Sequence, residues 1–119
     1  MTHVRTLLVV VDEPSMRAFL RLSLEDEGYR VETASDGREA LAKVQRHPPD
    51  AVLLDLMMPI MDGWGFLAAQ RMLSAECRCP VVVMSAVGGS HMAREHGASG
   101  FLAKPFDIDE LLATLATVL

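Results

Sequence analysis

A chain of 119 residues, half of them hydrophobic, can fill the core of one domain, 1–119, and is too short for two. Its formal charge of −5 argues against a phosphate-backbone binder, so no nucleic acid is expected to bind through it. No segment approaches the roughly 20 apolar residues of a membrane helix and MTHVRT lacks a signal-peptide core, so a cytoplasmic protein without membrane contact is expected, and Cys77 and Cys79 are too few and too close for a disulfide framework.

Short apolar runs alternate with helical patterns. Thr6 to Val11, TLLVVV, reads as a buried strand that ends in Asp12-Glu13. Pro14 suits a first helical turn, and Met16, Phe19, Leu20 and Leu24 recur at helical spacing until Gly28 stops the helix. Tyr29 to Ala34 is a more polar strand, as at a sheet edge. Asp36 and Glu39 have capping-box spacing, and Ala40, Leu41 and Val44 give the second helix an apolar face before Pro48-Pro49. Ala51 to Leu54 is an unbroken apolar run that delivers one carboxylate, Asp55, to its carboxyl end; Pro59 and Asp62-Gly63 then supply turn chemistry.

Trp64 to Ala75 predicts a third helix, with Phe66, Leu67, Met72 and Leu73 on its apolar face. Pro80 to Ser85 is a buried strand with a hydroxyl at its end, and the glycine-rich stretch after it allows only a brief fourth helix. Phe101 to Ala103 is a short fifth strand leading to Lys104-Pro105. Asp107 and Glu110 repeat the cap spacing, and Leu111, Leu112, Leu115 and Val118 mark a last amphipathic helix. Five strands alternating with five helices predict an α/β fold, a doubly wound five-stranded parallel sheet with helices on both faces.

Parallel strands place Asp12, Glu13, Asp55, Ser85 and Lys104 at one edge, where ligands collect in such sheets. Two or three carboxylates beside one ammonium suit a hard divalent cation, magnesium or manganese in its place, which bridges to a phosphate. Asp55 then suits the role of nucleophile, because an aspartate can form an acyl phosphate when a metal and a lysine neutralise the transferred group.

VVDEPS after the first strand, LLDLMMPIMDG around Asp55, MSA at Ser85 and FLAKPF around Lys104 together resemble the receiver domain of two-component response regulators, over essentially the whole chain. The resemblance implies the flavodoxin-like strand order 2-1-3-4-5, which also describes a chemotaxis receiver used to illustrate such folds. It implies that Asp55 accepts a phosphoryl group from a histidine kinase or phosphotransfer protein, with magnesium held by Asp12, Asp55 and the Met57 backbone carbonyl, and Glu13 acting through water. Lys104 and Ser85 would bind the phosphoryl oxygens, and the Lys104–Pro105 bond would be cis. Ser85 and Phe101 would form the switch: the hydroxyl moves to the phosphate, the aromatic turns inward, and the helix 4, strand 5 and helix 5 surface changes for an output domain or a second copy. Such a domain assists its own phosphorylation and dephosphorylation and is otherwise not an enzyme.

Three departures from the family pattern bear on this. Val11-Asp12 stands where two adjacent acids are usual, so weakened magnesium affinity is expected. The fourth helix is about one turn short. Met57 and Val87 flank the site with apolar side chains that do not orient a hydrolytic water, which predicts a long-lived phosphoryl state, against which a half-life of seconds would count. The competing reading is a pseudo-receiver, an interaction module that works without phosphate because Val11 impairs the metal site. An aspartyl phosphatase would need D-x-D after the first strand. Cys77-Arg78-Cys79 lacks the second pair of a zinc site, His91 and His96 read as exposed polar residues, Gly88-Gly89 lies in no nucleotide-binding motif, and Trp64 reads as a helix-three surface residue.

Overall fold

Where side chains alternate between two buried faces, a strand must be covered on both, and the apolar runs of this chain meet that condition. A computed structural model describes residues 4–56, 63–86 and 90–119. The strands are β1 (Thr6–Val10), β2 (Arg30–Ala34), β3 (Ala51–Asp55), β4 (Val81–Ser85) and β5 (Gly100–Ala103). They pair in parallel in the order β2-β1-β3-β4-β5, as expected. The helices are α1 (Pro14–Asp26), α2 (Gly37–Arg46), α3 (Gly63–Arg71), α4 (Ser90–Glu95) and α5 (Ile108–Val118).

The alternation sorts the interior into two cores. Leu8, Val10, Val52, Leu54, Val81 and Val83 meet Ala40 and Val44 of α2, Phe66 and Leu67 of α3 and Ala93 of α4. Leu7, Val9, Val11, Ala51, Leu53, Val82 and Met84 meet Leu20 and Leu24 of α1 and Leu111 and Leu115 of α5. By the same parity Asp55 follows Ala51 and Leu53 onto the α1/α5 face, whereas Ser85 follows Val81 and Val83 onto the other.

Helix ends follow local chemistry. Gly28, at φ +96°, takes the left-handed conformation that ends the turn after α1. Asp36 accepts a 2.8 Å bond from the Glu39 N–H, and Asp107 accepts one of 2.8 Å from the Glu110 N–H. Glu39 engages the Ser35 hydroxyl at 3.2 Å and Lys43 at 3.6 Å.

Three expectations are corrected. Phe19 is 55% exposed, since the stripe that packs is Met16, Leu20 and Leu24, one residue row of the helix. The third helix stops at Arg71, four residues early, because the N–H groups of Met72 and Leu73 bond back to Ala69 and Gln70, and a separate 3₁₀ turn forms at Ala75–Cys77. Met72 is 86% exposed and is no part of that helix's apolar face.

Candidate functional site at the carboxyl edge of the sheet

Asp55 and Ser85 are the last residues of β3 and β4, each only 6% exposed. Lys104 follows β5, and its peptide bond to Pro105 is cis. The Lys104 N–H donates to the Ser85 carbonyl at 2.8 Å, extending the β4–β5 ladder by one residue. Leu102 belongs to the α1/α5-side core, so two residues on the lysine side chain returns to that face, the face of Asp55. Its Nζ donates to Asp55 Oδ2 at 2.9 Å, across 49 residues of sequence. An exposed pair is worth little, but this carboxylate is almost wholly buried and the ammonium is about a quarter exposed, so solvent screens the attraction less.

Asp12 lies two residues past the end of β1 and is exposed. Since Val10 pairs with Leu54, the register sets Val11 beside Asp55 and Asp12 in the loop beyond. Val11, 1% exposed, packs in the α1/α5-side core and so puts an apolar wall beside the carboxylate. Glu13 turns into the helix it precedes: its two oxygens accept from the N–H groups of Ser15 at 3.0 Å and Met16 at 2.6 Å. Those backbone bonds hold its carboxyl below the usual carboxylate value.

Sequence reasoning missed Arg17. Its guanidinium donates to the carbonyls of Val11 at 2.8 Å and Asp12 at 3.2 Å, pinning the loop that carries Asp12. An arginine on the first turns of a surface helix carries no pattern that distinguishes it from a solvated charge.

Among the described residues no three His, Cys, Asp or Glu side chains cluster as for a metal. The donor set at the edge is instead two carboxylates, Asp12 and Asp55, at the ends of adjacent strands. That fits magnesium, which takes one or two carboxylates and keeps several waters. The Met57 carbonyl, Val87, the Gly88-Gly89 pair and the turn residues Pro59 and Asp62 lie outside the described residues.

Phe101 is half-buried against the core on the α2, α3 and α4 side, the face Ser85 shares by parity. Cys79 is buried and its thiol is pushed up to about 11, first by burial and then by Cys77 and Asp50, so it stays protonated near neutral pH. Gln70 holds its backbone, donating to the Cys79 carbonyl at 3.1 Å. His91 is exposed and pairs with Glu95 at 3.0 Å. His96 is half-buried, a correction to its expected exposure: its ring lies 4.8 Å from that of Trp64 and its Nδ1 is 2.8 Å from the Met92 carbonyl. Trp64 itself is half-buried at the rim of the core.

Residues 7–116 match the family model described as the response regulator receiver domain. The chain is similar to the transcriptional regulatory protein TcrA of Mycobacterium tuberculosis, 41% identical over 112 residues, which cover 92% of this chain and 44% of TcrA. It thus spans about half the length of the curated relatives it matches. The structure of chemotaxis protein CheY4 of Vibrio cholerae superposes with a TM-score of 0.90 at 39% identity, covering 98% of this chain and 100% of that one. The receiver domain of sensor histidine kinase PA1611 from Pseudomonas aeruginosa, solved with magnesium coordinated in its active-site cleft, superposes with a TM-score of 0.87 at 28% identity, covering 98% of each chain.

Proposed function

The chain belongs to the response regulator receiver domain family, and from that premise we propose that Asp55 takes a phosphoryl group from a histidine kinase or phosphotransfer protein, with residues 1–119 acting as one receiver domain. The observation that carries the reading is the 2.9 Å contact of Lys104 Nζ with Asp55 Oδ2 at the carboxyl edge of the sheet. An Asp55 oxygen forms the bond to phosphorus as the bond to the donor's imidazole nitrogen breaks. Lys104 and the Ser85 hydroxyl take up the charge of the phosphoryl oxygens. Magnesium, held by Asp12, Asp55 and the Met57 carbonyl, would supply further neutralisation of those oxygens; Glu13 reaches it only through water and only while also capping α1. Movement of Ser85 toward the phosphate then lets Phe101 turn inward, changing the α4, β5 and α5 surface that an output domain or a second copy reads. The apolar Met57 and Val87 make the phosphoryl state long-lived.

Incubation with acetyl phosphate and magnesium is expected to add the mass of one phosphoryl group to the wild type and none to Asp55→Asn. Burial of Val11 beside Asp55 favours one second reading, a pseudo-receiver that signals without phosphate. Its signature is an unmodified wild type in the same experiment.

A further inference from the structure

A cavity of about 320 Å³, open to solvent, lies beside Lys104, the one of its described walls that the reading above uses. Its walls among the described residues are Met16 of α1, Ala86 after β4, and Lys104, Pro105 and Phe106 on the way from β5 to α5. Four of the five are apolar. Met16 and Phe106 are half-buried against the α1/α5-side core, so the fold holds these walls in place before any ligand arrives. The fifth is the lysine whose ammonium stands 2.9 Å from Asp55 Oδ2. An open, largely apolar cavity thus has among its walls the lysine whose ammonium lies beside the Asp55 carboxylate. A cavity of about 150 Å³ is enough for a benzene ring, and small-ligand pockets begin at about 300 Å³. The methyl group of acetyl phosphate leaves most of such a space to water.

We infer that this cavity binds a small organic phosphate that carries an aromatic group, its phosphoryl end at Lys104 and its ring against Met16, Ala86 and Phe106. Polar and apolar ends of the site are then matched by polar and apolar ends of one molecule. On the reading that Asp55 is the phosphoacceptor, an aryl acyl phosphate bound here is also a donor. An Asp55 oxygen forms the new bond to phosphorus, the bond from phosphorus to the acyl oxygen breaks, and its electron pair leaves with that oxygen as the arylcarboxylate. No proton and no redox partner is needed.

The binding arm of the test uses phenylphosphonate and methylphosphonate, followed through the Met16 methyl signal by NMR. Phenylphosphonate is expected to bind at least about tenfold tighter, or about 1.4 kcal/mol. That advantage is expected to shrink in Ala86→Leu, which fills the cavity from an exposed position. Equal affinities, or shifts that spare Met16, overturn the inference. The transfer arm compares benzoyl phosphate with acetyl phosphate, and a higher kcat/KM for benzoyl phosphate that Ala86→Leu abolishes is the expected result. Preferential binding of phenylphosphonate with no phosphorylation by either donor supports the cavity and sinks the receiver reading. Phosphorylation by both donors at equal kcat/KM, with equal phosphonate affinities, sinks the cavity alone.

Discussion

Val11 lies at the edge of the sheet, beside the carboxylate proposed to share a cation with Asp12. It packs among Leu7, Val9 and the α1 and α5 residues at 1% exposure, so a carboxylate placed there is buried next to a second one, Asp55, with Lys104 as the nearby cation. Without metal, the repulsion and desolvation oppose folding; with metal, the added acid holds its water shell. Val11→Asp is therefore expected to lower the metal-free stability by about 1–3 kcal/mol in urea unfolding. Magnesium affinity measured by calorimetry should rise by about 10–100-fold. An unchanged affinity would show that Asp12 and Asp55 do not hold the cation. The acids and the lysine were legible one by one, because each ends an apolar run. Arg17 and the capping role of Glu13 were not, since both depend on where a side chain turns after the strand stops.

At the scale of elements, the site is backed by the first residue of α3. A Cβ on Gly63 would stand 2.7 Å from the Leu56 Cα and 3.0 Å from the Asp55 carbonyl oxygen, and its own N–H donates to the Leu56 carbonyl at 3.0 Å. The sequence marks this glycine as a turn residue; the structure needs it for the approach of a helix to the backbone that carries Asp55. Gly63→Ala must push α3 or Leu56 aside. It is expected to cost about 1–3 kcal/mol in thermal unfolding, and a stability within a few tenths of wild type would mean that α3 yields freely. Boundaries fared worse than identities here. Phe19 and Met72 satisfied a helical period yet face solvent, because periodicity reports which residues are apolar and not which row of the helix the sheet covers.

For the whole molecule, the strand order was readable only through family likeness, whereas the parallel sheet followed from alternation of apolar runs and helices. Parallel strands buried on both sides leave no polar pattern by which to order them. The order has a dynamic corollary. β1, β3 and β4 have a neighbour on each side and cores on both faces, while β2 and β5 are edges and α4 is six residues long. Amides of Val9, Leu53 and Val82 should exchange slowest and those of α4 fastest in hydrogen-exchange measurements, by several orders of magnitude. Uniform protection would contradict it.

The two-sided interior divides the candidate site between two layers. Asp55 and Lys104 belong to the layer shared with α1 and α5, whereas Ser85 and Phe101 belong to the layer shared with α2, α3 and α4. The proposed switch surface of α4, β5 and α5 draws on both layers, so a change at the rim of the sheet reaches it from two sides.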